Sequence, residues 1–313
     1  MNTYIKFLII SIAMPFYLHS STLNIKEIQD SFFKNVILKP IYFKHYEKTL
    51  KSICENQNEE CYSFEILNLT KNKTYQNSEK IKKSLKSRDN RFILDKSYWQ
   101  RAQKHLFYQV DNFLHSQFIV LVDLSKQVLI LVLWDNTDYI FHPIGFDFIS
   151  SGNMDKEVEV TNGDDHYLKT PTGLFGIKSG WRSAGKIFDD NITMPYGKKN
   201  SFVFYFGTQD SVRYDTFDKN GTKINDKSKW KLITDKLEFA IHAHKSTASF
   251  GQPHSHGCIR MSNEMNLFLD NNLVFFKSLY NEKNEWIHPY KKAPIEPNNY
   301  NYAGQYMLVL DEI

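Results

Sequence analysis

The chain of 313 residues is 42% hydrophobic and 24% charged, with an aromatic share of 15%. That is the composition of a globular protein, long enough for two modest domains or one domain with an elaborated end. Its formal net charge of +4 is mild for this length and argues against a nucleic-acid partner, which needs basic charge concentrated on one face.

The first residues, "MNTYIK", carry positive charge ahead of the apolar run "FLIISIAMPFYL" (Phe7 to Leu18). This run has the length of a signal-peptide core and is shorter than a membrane span, so a cleaved export signal over residues 1–21 is expected. No later stretch reads as a span. Export bears on the three cysteines: Cys54 and Cys61 in "CENQNEEC" could close a small disulfide loop, leaving Cys258 odd. Residues 22–114 read as helical. "IKEIQDSFFKNVIL" and "PIYFKHYEKTLKSIC" space their apolar residues by three and four, and "SYWQRAQKHLFYQVDNFL" is a longer helix with Ser97 as its cap. The basic run "SEKIKKSLKSRDNR" (Ser78 to Arg91) reads as a solvated helix face and loop.

After Ser116 the pattern changes to apolar runs separated by turn residues: "QFIVLVDL", "QVLILVLW", "DYIFHPIGFDFISSG", "TPTGLFGIKSG", "SFVFYFGT" and "LEFAIHAH". These predict a β-rich domain from 115 to about 270, without the helix–strand alternation of a parallel sheet. "SNEMNLFLDNN" reads as a short helix capped by asparagine, and "QYMLVLDEI" as a last strand.

Within seventeen residues stand His242, His244, His254, His256 and Cys258. Two chemistries use such residues. Cys258 as a thiolate, with a histidine to take its proton, suits acyl transfer. Gly257 beside it lets the backbone approach a substrate, and backbone N–H groups of the turn can meet an oxyanion. Alternatively, His242 and His244, two apart on a strand, could share a zinc ion with His254, His256 or Cys258. A histidine-rich loop without a site is the third reading.

"IHAH", a spacer and "SHGCIRMSN" resemble the signature of the L,D-transpeptidase (YkuD) catalytic domain. "VDLSKQVLILVLWDN", "ISSG" and "TPTGLFGI" resemble the family's opening hairpin, its following turn and its Thr-Pro-Thr-Gly segment, in the same order. The resemblance implies a mostly β catalytic domain over 115–280; with the helical region over 22–114 and a C-terminal extension over 281–313, both departures from the family's usual pattern, the expected chain is α+β. It implies Cys258 as nucleophile, His242 as base oriented by the Ala243 carbonyl, and His256 and Gly257 shaping the oxyanion pocket with the Gly257 and Cys258 amides as donors. It puts Ser255, Ala243 and Arg260 on the substrate side, Arg260 either holding a substrate carboxylate through its planar fork or forming a structural salt bridge. No metal or cofactor is implied. The implied partner is the peptide stem of peptidoglycan, either cross-linked 3→3 or trimmed by an L,D-carboxypeptidase outcome, in the periplasm or envelope. A non-catalytic zinc-binding or wall-docking protein is the rival from another class. His244 departs from the small hydroxyl residue usual in the family. His242 and the "HGC" turn lead to the expectation of a depressed Cys258 pKa.

Overall fold

A computed structural model describes residues 24–38, 88, 90–155, 167–185, 195–244, 250–279 and 300–313. The expected export signal, Cys54 and Cys61, the segment "PIYFKHYEKTLKSIC" and most of the basic run lie outside these residues.

Helix α1 (Ile25–Phe32) starts where the Asn24 side chain accepts the Glu27 N–H at 3.1 Å, and it runs on as a π-helical turn over Phe33–Leu38. Helix α2 (Lys96–Phe107) is capped by Asp95 rather than Ser97: the Asp95 carboxylate accepts the Tyr98 N–H at 2.8 Å. A carboxylate at this end also complements the helix dipole. The Ser97 hydroxyl instead accepts from Arg101 one turn on. The helix stops at Phe107, short of the expected Leu114, and a 3-10 turn over Val110–Asn112 follows.

Strands β1 (Gln117–Asp123) and β2 (Val128–Asp135) form an antiparallel hairpin. Buried Asp123 closes it by accepting from the Ser125 hydroxyl and the Lys126 N–H. Both strands are buried along their whole length, which explains why they read as continuous apolar runs rather than alternating ones. Ile119 and Leu121 point to one side, against Tyr98, Trp99, Ala102 and Leu106 of α2. Phe118, Val120 and Val122 point to the other, into the main core with α1 and the second sheet. The two N-terminal helices thus cover the β-rich half of the chain as part of its core. The phenol of Tyr98 reaches through to Asp123 at 2.7 Å, and Phe32 packs edge-on against Phe268.

The first sheet has the order β3-β2-β1-β9-β4, with β3 at Ile140–Phe148, β4 at Gly173–Gly176 and β9 at Tyr306–Leu310. The last strand, assigned from sequence to an extension, lies between β1 and β4, parallel to β1. It completes the sheet rather than trailing after it. The second sheet, β5-β6-β7-β8, comprises Ser179–Arg182, Phe202–Asp215, Lys231–Ala243 and Ile259–Met261. Strands β6 and β7 are longer than expected because polar residues continue the pairing out to Asp215 and Lys231. Helix α3 (Asn263–Asn271) follows β8 and is capped by Ser262, not asparagine: its hydroxyl accepts the Met265 N–H while donating to Asp147. Among the described residues no helix is long and apolar enough to cross a membrane.

Candidate active site

The second sheet has two faces. Phe202, Phe204, Phe239, Ile241, Ile259 and Met261 fill the core. Alternation therefore sends the intervening side chains, His242 and Arg260 among them, to the opposite face. Strands β7 and β8 run parallel, with His242 opposite Arg260, and paired residues share a face. Cys258 immediately precedes β8, and its thiol interacts with Arg260 and with the backbone of Ala240, two residues before His242 on β7.

The loop that carries the thiol is fastened by the motifs that precede it in sequence. Ser150 and Arg260 exchange both backbone hydrogen bonds at 2.9 Å, and the Ser255 N–H reaches the Ser151 carbonyl at 2.9 Å. The Thr170 hydroxyl donates to the Gly257 carbonyl at 2.6 Å and accepts the Gly152 N–H at 2.8 Å. Thus "ISSG" and "TPTG" form the cradle of "SHGC". Gly152 is required by contact: a methyl group there would lie 2.0 Å from the Leu168 carbonyl oxygen. Gly257 is required by conformation, with φ +140°. The Ser255 hydroxyl ties the turn internally, donating to the Cys258 carbonyl and accepting the Gly257 N–H at 3.1 Å. The Gly257 amide expected to meet an oxyanion is therefore engaged by Ser255 here.

His242 is buried, and its Nδ1 lies 2.9 Å from the Ala243 carbonyl oxygen. A carbonyl only accepts, so Nδ1 carries the proton of the neutral ring and Nε2 is left as the basic atom. Burial pulls the His242 pKa down to about 4, opposed by the bond to Ala243 and assisted by the charges of Arg260 and His244. Burial pushes the Cys258 thiol up, against a backbone hydrogen bond from Ala240 and the charge of Arg260, which both favour the thiolate. The expected depression of the Cys258 pKa is thus overturned: removal of water outweighs its favourable neighbours. Both members of the pair rest neutral.

Arg260 is half-buried. The titratable groups around it are Cys258, Tyr167 and Tyr196, none of them a carboxylate. Tyr196 stands edge-on to His242 with ring centroids 5.1 Å apart, and Tyr167 stacks on His256 at 4.2 Å. Sequence reading missed both tyrosines. Their signal was position: Tyr167 stands three residues ahead of "TPTG", and Tyr196 ahead of a glycine in "MPYGKK". Of the other histidines, His244 is buried just past the end of β7 while His254 and His256 are exposed. Among the described residues no group of three or more histidine, cysteine, aspartate or glutamate side chains is placed to hold a metal ion.

Two sheets with a thiol and an imidazole on the outer face of one of them define a cysteine-containing β domain. The model of the L,D-transpeptidase catalytic domain, YkuD, matches residues 117–274, and the chain belongs to that family. Comparison with curated proteins finds no match in sequence. Among solved structures the chain is similar to Bd1075 of Bdellovibrio bacteriovorus (16% identity, TM-score 0.32, covering 63% of this chain and 49% of that one). It is also similar to an L,D-transpeptidase from Mycobacterium smegmatis (12%, 0.26, 62% and 59%) and to the helical cell shape determining protein Pgp2 from Campylobacter jejuni (16%, 0.30, 64% and 49%). The chain spans between about half and three fifths of the length of these structures.

Proposed function

We propose that the chain is a peptidoglycan L,D-transpeptidase with Cys258 as its nucleophile. The observation that supports this reading is the pairing of β7 with β8, in which His242, its Nδ1 fixed by Ala243, stands opposite Arg260, two residues after Cys258. The Cys258 sulfur attacks the carbonyl of the third stem residue as His242 Nε2 takes its proton. Because both groups rest neutral, proton transfer accompanies attack rather than preceding it. The Cys258 N–H serves the developing oxyanion, and Gly257 joins it only if its amide leaves Ser255. His242 then returns the proton to the departing D-alanine nitrogen as the C–N bond breaks, leaving a thioester. The amine of a second stem attacks that thioester and regenerates the thiol, giving a 3→3 cross-link. Arg260, with no carboxylate of the described chain acting on it, holds a carboxylate of the donor stem.

The test is mass spectrometry of the protein incubated with disaccharide-tetrapeptide, beside Cys258→Ala. Loss of D-alanine with a dimer appearing, only with the thiol present, is the expected result. Tripeptide without dimer, even with abundant acceptor stems, would make the protein an L,D-carboxypeptidase. Turnover equal in both samples would remove Cys258 from the chemistry. The pH dependence follows from the site: His242 must be unprotonated, so activity persists on acidification below imidazole's ordinary pKa of about 6.5, towards the value of about 4 set by burial.

A further inference from the structure

The face that carries His242 does not end at the catalytic pair. Tyr205 on β6 pairs with Ala240 on β7 and with Ser179 on β5. Paired residues share a face and alternate along each strand, so Trp181, two beyond Ser179, lies on the side of the sheet that holds Ala240 and His242. Rings connect the two places. Tyr196 is edge-on to His242, Trp181 is edge-on to Tyr196 with centroids 5.8 Å apart, and Tyr205 lies 6.5 Å from Trp181. Large aromatic side chains are usually covered, yet Trp181 is 39% exposed and Tyr196 41%.

We propose that Trp181, with Tyr196 as its inner wall, is a sugar subsite that receives the muramic acid ring to which the donor stem is attached. This inference rests on the peptidoglycan reading above. Two arguments on the molecule support it. The first is reach: β5 lies three strands from β8, roughly 14 Å at about 4.8 Å per strand. Three stem residues at about 3.5 Å each carry the chain roughly 10 Å from the reacting carbonyl, and the sugar follows directly. The second is polarity. The β8 end of the face holds the half-buried cation Arg260, suited to a carboxylate. The β5 end presents an indole, whose negative face attracts the polarised C–H groups of a neutral pyranose ring. A stem laid with its carboxylate terminus at Arg260 therefore points its sugar at Trp181.

The experiment compares kcat/KM for disaccharide-tetrapeptide with kcat/KM for the same tetrapeptide lacking sugar, in wild type, Trp181→Ala and Trp181→Phe. It is paired with an NMR titration of each protein by the stem-free disaccharide. The wild type is expected to favour the sugar-bearing substrate. Trp181→Ala should lower that preference by about three- to tenfold, the range of a single aromatic contact, and Trp181→Phe should retain part of it. Disaccharide-induced shifts should centre on the Trp181 indole and weaken in the alanine variant. An unchanged preference in Trp181→Ala, or no preference in the wild type, overturns the subsite while leaving the catalytic reading in place. If neither substrate is consumed, the catalytic reading falls, and disaccharide shifts absent from Trp181 would remove the sugar site as well.

Discussion

Burial of His242 has a thermodynamic counterpart that can be measured without any substrate. In the unfolded chain an imidazole titrates near 6.5, whereas in the fold His242 titrates at about 4. Between those values the unfolded state binds more protons than the native one, so acid favours unfolding. The sign follows directly: the contribution to stability is complete above about pH 6.5 and is lost as pH falls through the folded pKa. At 1.36 kcal/mol per unit, the full loss is about 3 kcal/mol, of which about 2 kcal/mol has gone by pH 5. His242→Gln has no group to titrate and keeps a polar side chain in the same place. Urea unfolding of both proteins at pH 7.5, 6, 5 and 4.5 should show the wild type losing stability faster by about 2 kcal/mol at pH 5. Other titrating groups, such as His115, whose pKa burial also lowers, act in both proteins and cancel in the difference. Parallel pH dependences in the two proteins would refute the reasoning, since they would mean that His242 keeps an ordinary pKa in the fold.

Other outcomes follow from the same geometry. Alkylation of Cys258 by iodoacetamide should titrate above the free-cysteine value of about 8.5, and Arg260→Gln should raise it further by removing a charge that favours the thiolate. Arg182 grips Asp270 through both terminal nitrogens, with each side chain largely buried. Arg182→Ala should therefore cost about 3–5 kcal/mol in urea unfolding by leaving Asp270 unpaired, a loss that Asp270→Asn in the same chain should partly restore. Gly152→Ala should reduce Cys258-dependent turnover at least tenfold while far-ultraviolet circular dichroism stays near wild type, because the added methyl displaces the Leu168 and Gly257 backbones that cradle the thiol. Phe32→Ala should lower stability by about 3–5 kcal/mol, since that ring is fully buried against Phe268 and the backbone of Gly145. A loss below 1 kcal/mol would show that the N-terminal helix is not part of the core.

What the sequence disclosed was governed by range. "IHAH" and "SHGCIR" could be read because each is a local pattern, and the hairpin "QFIVLVDLSKQVLILVLW" because its strands adjoin. The Ala243 carbonyl as the partner of His242 came from the family resemblance, and the bond is found at 2.9 Å. Tyr167 and Tyr196 were not foreseeable, since their approach to His256 and His242 depends on loops crossing the sheet. The direction of the Cys258 shift was also misjudged, because the residues quoted around it carry charge and dipoles but say nothing of how much water the fold removes. The caps at Asp95 and Ser262 fell one or two residues from the expected positions, where several capping side chains stand in a row and tertiary partners such as Asp147 decide among them.

The position of β9 bears on the order in which this protein can acquire its shape. β1 leaves the ribosome well before β9, yet the two lie side by side. Until β9 is made, β1 and β4 each lack a neighbour, and the buried rows of valine and leucine between them have nothing to cover them. Closing so long a loop is slow, and the waiting edges are open to pairing with other chains. A chain that lacks β9 should therefore stay unfolded and prone to aggregation. Synthesis of β9, rather than of the strands before it, is the event that closes this sheet.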